Sequence, residues 1–244
     1  MNSYLSMMLL IFVSAEKIFS QDISYQPLLK NFSLTAQVNY VSSASIQLYA
    51  FSPSEFERNI IVDIGGGYGY SGVIKTNLPG DSLSIALSVE YISIIDDQNS
   101  IYIQSVNGPS IRARLTETLE VIPVELSVLF NIPYLSDDLN IYLGGGSGVY
   151  FGNWKRKVLG TESETISKKP GFSFHVLSGI QYSFLNDISA GFEVRFREGS
   201  YEVSTEFPKD EFIIEGNTYN IEKSYSSRIF LDGLRLTFGV SFYF

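Results

Sequence analysis

The sequence predicts an all-β fold, a closed antiparallel up-and-down transmembrane barrel of eight strands. Three observations predict it. From Phe32 to Phe244 the hydrophobic period is two, the spacing of strands rather than helices. After Ser20 no stretch approaches the ~20 apolar residues that a membrane helix needs. The breaks between alternating segments are tight and loose by turns, which in an up-and-down barrel puts short turns at one rim and longer loops at the other.

Composition bounds the reading. The 244 residues are 45% hydrophobic, 14% aromatic and 18% charged, which excludes long disordered tracts and fits one domain. A net charge of -9 argues against nucleic acid as partner, because neutralising phosphates needs a basic face. Without Cys no disulfide, thiol catalysis, Cys-based metal site or lipoprotein anchor is expected. Met7 to Val13 is a short apolar run and Ser20 a small residue suited to cleavage, although no Lys or Arg precedes the run. Residues 1–20 are therefore expected to be a signal peptide, 21–31 a short N-terminal periplasmic segment and 32–244 the barrel.

The first strand is expected over 32–51, with Phe32, Leu34, Ala36, Val38, Tyr40, Ala44, Ile46 and Leu48 on one face and small polar residues on the other. The second, about 59–76, sets Val62, Ile64, Tyr68, Tyr70 and Ile74 against Asp63, Gly, Ser and Lys75; the third, about 82–95, sets Leu83 to Tyr91 against Ser84 to Glu90. The fourth, about 116–131, alternates Ile122, Val124, Leu126, Val128 and Phe130 with Pro123, Glu125 and Ser127. The fifth (about 139–153) and sixth (about 171–185) place Gly, Ser and His175 opposite apolar side chains. The seventh, about 188–201, carries Glu193, Arg195 and Arg197 on its small-residue face, and the eighth, about 226–244, carries Arg235 there. Tight connections at 77–81, 133–138 and 186–187 interleave with looser ones at about 52–58, 96–115, 154–170 and 203–225. Ten strands result if the second or fourth long loop pairs within the membrane.

Alternation does not say which face is inside, but volume does. The interior of an eight-stranded barrel is just wide enough for its own side chains. The bulky apolar set does not fit there, so it faces lipid, and the small polar set lines the lumen. Glu90, Glu125, Glu193, Arg195 and Arg235 then point inward, where opposite charges can pair; near the lipid midplane each basic residue would cost about 2–4 kcal/mol. Tyr40, Tyr91, Trp154 and Phe172 near the loop rim, and Phe130, Tyr134, Tyr182 and Phe242 near the turn rim, read as aromatic belts.

The signal-like start, the eight alternating segments and the ending Phe238-Gly-Val-Ser-Phe-Tyr-Phe244 resemble small bacterial outer-membrane proteins of the OmpX and OmpW kind and the barrel domain of OmpA. The resemblance implies the bacterial outer membrane as location, with its lipid and lipopolysaccharide as surroundings. It also implies that Phe238, Val240, Phe242 and Phe244 form the signal read by the barrel-assembly machinery. No domain follows Phe244 here, so an OmpA-like peptidoglycan anchor is not expected.

The remaining motifs have structural readings beside functional ones. Gly65 to Gly69 and Gly144 to Gly148 lie mid-strand with no helix after them, which suits packing or strand bending rather than phosphate binding. His175 and Ser173 share an inward face, a candidate pair for acyl transfer, but neighbours at i and i+2 seldom have nucleophile–base geometry. No catalytic residue, metal site or cofactor is therefore assigned. The acidic pairs Asp96-Asp97, Asp137-Asp138 and Asp210-Glu211 read as solvated turns. Lys155-Arg156-Lys157 is either a lipopolysaccharide contact or a solvated loop face. Phe212 to Ile221 reads as a projecting hairpin around Gly216-Asn217, with an edge for a protein partner. The leading function is a non-enzymatic barrel with a plugged polar lumen and a structural or interaction role. A narrow channel for small or apolar solutes comes next, and a lipid A-modifying hydrolase third.

Overall fold

The computed structural model describes residues 32–79, 82–105, 107–132, 138–185 and 187–244. The expected signal peptide, the 21–31 segment, Tyr134, Asp137 and parts of the three tight turns lie outside the described residues.

Eight strands form the ring: β1 (Phe32–Val41), β2 (Gly67–Asn77), β3 (Leu83–Asp96), β4 (Ile111–Ile132), β5 (Leu139–Val158), β6 (Gly171–Leu185), β7 (Ile188–Glu206) and β8 (Gly233–Tyr243). Each pairs antiparallel with its neighbour in sequence. The ring closes where β8 pairs with β1, from Ser33 opposite Tyr243 to Val41 opposite Arg235. The two loops that would have raised the count to ten do not enter it. Ser100–Ile103 pairs with the far end of β4, and Glu211–Ile214 pairs with Asn217–Asn220.

Around the lower part of the ring the apolar residues face outward. Leu126 is 52% exposed and Phe172 78%, a waste of burial in water but the right arrangement against hydrocarbon. On β4 this girdle runs from Ile122 to Phe130, close to the ~9–11 residues with which a tilted strand crosses a bilayer. Yet β4, β5 and β7 are 22, 20 and 19 residues long. They therefore continue well past the girdle on the loop side.

In that continuation the interior changes character. Ile46, Ile92, Leu119, Trp154, Tyr201, Ile229 and Leu231 are all fully buried in one apolar cluster, while Lys155, Lys157, Lys168 and Lys169 lie on the outside. Volume excluded a greasy interior only at membrane level. Above it, where the outer surface meets water, ordinary globular partition returns.

The reversal corrects several expectations. Val41 and Ala44 both point inward although they are three residues apart, so the Ser42-Ser43 break shifts the phase of the first strand. Ala44, Ile46 and Leu48, expected on the lipid face, are buried instead. Gly65-Gly66 does the same between Ile64 and Gly67, and Ile64 is buried. Ala44–Gln47 pairs with both Ile61–Ile64 and Ser224–Phe230, and the latter joins the upper end of β7. On the other side of β7, Glu164–Lys169 takes the place of β6 beyond Pro170. The expected charged loop over 154–169 is thus largely strand. Trp154, expected in an aromatic belt, is fully buried, and Arg156 points inward to Glu117 at 3.1 Å.

The hairpin at 211–220 also differs from expectation. It turns through Glu215 and Gly216, both at positive φ, where glycine is favoured. It does not simply project: Phe212 and Tyr219 are buried in the apolar cluster, and the Ser105 hydroxyl donates to the Thr218 carbonyl at 3.2 Å. The hairpin packs against the apolar cluster on the loop side, with Ile213 turned outward.

Leu119→Ala should cost about 2–5 kcal/mol, as for a packed core leucine. Leu126→Ala should cost less, because lipid chains refill the space. Urea unfolding of vesicle-inserted protein checks this; equal costs would contradict the two-level interior.

Candidate functional site in the lumen

At membrane level the inward positions are small or polar, and a few long side chains reach across them. Each charge is placed by strand parity: Glu90 on β3, Glu125 on β4, Arg195 and Arg197 flanked by Glu193 on β7, and Arg235 on β8. All six are at most 5% exposed. Glu90 bridges two strands, with Arg235 Nε at 3.1 Å and Arg197 Nη1 at 3.0 Å. Glu125 pairs with Arg195 and lies 3.8 Å from Arg197 and 4.0 Å from Arg235. Arg195 also holds Glu193 at 2.8 Å.

Neutral groups complete the cluster from the other strands. Arg235 Nη2 donates to Asn39 at 2.9 Å and Gln37 at 3.2 Å on β1, and to the Ser71 hydroxyl at 3.1 Å on β2. The Tyr150 hydroxyl on β5 donates to Glu125 at 3.1 Å, and Tyr142 to Glu193 at 3.2 Å. Tyr142 needs the absence of a side chain opposite it: a Cβ at Gly179 would lie 2.2 Å from its ring. Three carboxylates thus face three guanidiniums, the balance that lets charge persist away from water.

The five charged residues singled out from sequence meet here. Arg197, which sequence reasoning placed on the same face but left out of the set, is a full member; its spacing of two from Arg195 was the available signal. Tyr142, which the alternation of the fifth strand puts on the inward face, and Tyr150 were missed because the set was drawn from charged side chains alone. Phe238 and Phe242 face outward, Val240 is half-buried, and Phe244 exchanges backbone hydrogen bonds with Phe32 where the ring closes.

His175 does not pair with Ser173. Its Nε2 lies 2.8 Å from the Ser127 hydroxyl on β4, while its Nδ1 and the Ser173 hydroxyl are buried without a hydrogen-bond partner among the described residues. Among the described residues no acid bonds the imidazole, the third member that an acyl-transfer triad requires. The Asp96-Asp97 pair is engaged in its own loop, Asp97 with Arg114 and Asp96 with Asn99.

Below the ionic cluster lies a small cavity of about 40 Å³, lined by Lys75, Gln37, Gln181, Ser127, Tyr142 and Glu193 among others. Above the membrane, Arg156 and Glu117 form a second buried pair beside the rings of Tyr225 and Trp154. Burial pushes the Glu117 carboxyl above its ordinary value; Arg156 opposes this and Asp96 adds to it.

No protein-family model and no curated protein matches the sequence. Among solved structures, the chain is similar to the outer membrane protein OprG from Pseudomonas aeruginosa, at 10% identity over 87% of this chain and 95% of that one, with a TM-score of 0.58. It is also similar to Neisserial surface protein A, at 13% identity over 88% and 97% with a TM-score of 0.44. A third is Ail, the attachment invasion locus protein of Yersinia pestis, at 8% identity over 87% and 98% with a TM-score of 0.39. The likeness to OprG shows the fold of a small outer-membrane β-barrel. The apolar girdle is what that fold needs in the bacterial outer membrane.

Two outcomes are expected. Glu125→Gln leaves three guanidiniums short of a partner and should cost about 3–5 kcal/mol in urea unfolding, as for a broken buried pair; a loss under about 1 kcal/mol would contradict a coupled cluster. A raised Glu117 pKa means that folding favours the protonated acid. That contribution is complete below the ordinary value of 4.5 and is lost as pH rises through the raised value. The stability difference between wild type and Glu117→Gln should therefore change with pH above 4.5 in that direction.

Proposed function

We propose that this outer-membrane β-barrel is a non-enzymatic envelope protein with a closed lumen, acting through its extramembrane part as a structural or interaction element. The observation that carries the reading is two seals in series. A polar ligand crossing the barrel meets first the Glu–Arg cluster, which involves side chains of at least five ring strands, and then a fully buried apolar layer from Ile92 to Trp154 and Ile229. Dismantling the first seal exposes unpaired charge, and entering the second desolvates whatever is polar.

The hairpin packed on the apolar cluster offers Ile213, with Tyr102 exposed elsewhere in the loops, as contacts for an exterior partner. The outward lysines above the girdle suit the phosphates of lipopolysaccharide. Phe238, Val240, Phe242 and Phe244 serve as the assembly signal, the alternating apolar ending that the barrel-assembly machinery would engage. The narrow channel is favoured only by the lower cavity, which ends against Glu193 and Arg195.

Purified protein in planar bilayers should show no unitary conductance steps; stable openings would refute the closed lumen. Phe244→Ala should lower the heat-modifiable, membrane-inserted fraction in cells several-fold, and an unchanged fraction would remove the assembly role.

A further inference from the structure

Among the described lumenal cations at membrane level, Lys75 alone makes no ion pair with the Glu–Arg cluster, although Glu193 on the same cavity wall attracts it from a distance. It projects from β2 into the lower cavity. Its ammonium donates to Gln181 Oε1 at 3.3 Å and lies 5.9 and 5.7 Å from the ring centroids of Tyr142 and Tyr243. Among the described residues it makes no ion pair. An ammonium carries three donors, so this environment leaves it short of acceptors. Both amide hydrogens of Gln181 are spent, on the hydroxyls of Ser189 at 2.6 Å and Ser241 at 2.9 Å, which fixes its carbonyl toward the lysine.

The charge balance points the same way. The described inward charges at this level are three carboxylates, all shared with three guanidiniums, and then Lys75, so the described lumenal groups carry one positive charge in excess. A buried charge without a partner is costly, and an anion beside it removes that cost.

Access differs between the two ends. Toward the loops the cavity is capped by Glu193 and Arg195 and then by the apolar layer. Toward the turn rim the described inward groups are uncharged: Asn77, Ser84, Asn131, Asn140 and Ser189. An anion arriving from that side passes no carboxylate of the cluster before it reaches Lys75.

We propose that the lower lumen is a binding site for a small oxyanion bearing one negative charge, a carboxylate or phosphate monoanion, admitted from the turn rim and held by Lys75. On the cavity wall the Thr35 and Ser241 hydroxyls bond each other at 2.7 Å, which leaves one hydroxyl hydrogen of the pair to give to the anion's oxygens. The entry side rests on the closed-lumen reading, whereas binding does not. A barrel that conducts yet binds saturably would separate the two.

The test uses full-length folded protein in deuterated detergent with sodium acetate as probe, read by saturation transfer to the acetate methyl, and inorganic phosphate as competitor. Saturable transfer or saturable displacement by phosphate is expected. Lys75→Met should weaken binding at least about ten-fold, the scale of one lost charge-assisted contact. Lys75→Arg and the exposed-surface variant Lys169→Met should keep it. Transfer unchanged in Lys75→Met, or no saturable response to either anion, overturns the proposal. Should Lys75→Met fail to fold by gel mobility, the Lys75 Cε resonance of wild-type protein decides: a saturable shift on adding acetate supports the site, and an unmoved signal refutes it.

Discussion

Hydrocarbon tolerates no unpaired backbone hydrogen-bonding group, and the rest of this molecule depends on that constraint. A sheet in the bilayer must close on itself, as it does where β8 meets β1. Closure at eight strands fixes a narrow interior, and the narrow interior sends the bulky side chains outward and keeps small and polar ones within. Burial of like with like is inverted over the girdle because the solvent is inverted there.

The constraint lapses where the strands leave the membrane, and the chain responds at particular residues. Ser42-Ser43 and Gly65-Gly66 break the period by one position, so that Ile46 and Ile64 enter the core while Val38 and Tyr68 face lipid. On β3 and β4 no break is needed. The same inward register passes from Ser88 and Glu90 to Ile92 and Ile94, and from Glu125 to Val121 and Leu119. The barrel thus carries two interiors, one ionic and one apolar, stacked along a single ring.

How much of this the sequence discloses follows from the same physics. The eight ring strands and the inward parity of Glu90, Glu125, Glu193, Arg195 and Arg235 were legible, because alternation is local and lipid imposes one sense on every strand. The upper core was not. Leu34 and Ile46 share the even positions of one unbroken pattern, and only the tertiary bend at Ser42-Ser43 sends them to opposite sides. Trp154 and Arg156 were misplaced for a related reason: a charged stretch after a strand looks like a loop until the inward pairing with Glu117 is seen. The pairing of His175 with Ser127 joins residues 48 apart and has no local signature.

The reversal of facing at Ser42-Ser43 is tested most directly by a nitroxide scan from Leu34 to Leu48, which the absence of cysteine makes clean. In lipid vesicles, accessibility to oxygen should peak at even positions through Tyr40. Beyond the break, the odd positions Ser43, Ser45 and Gln47 should become accessible to a water-soluble nickel reagent, while Ala44, Ile46 and Leu48 are shielded from both probes. Oxygen peaks continuing at even positions as far as Leu48 would contradict the account.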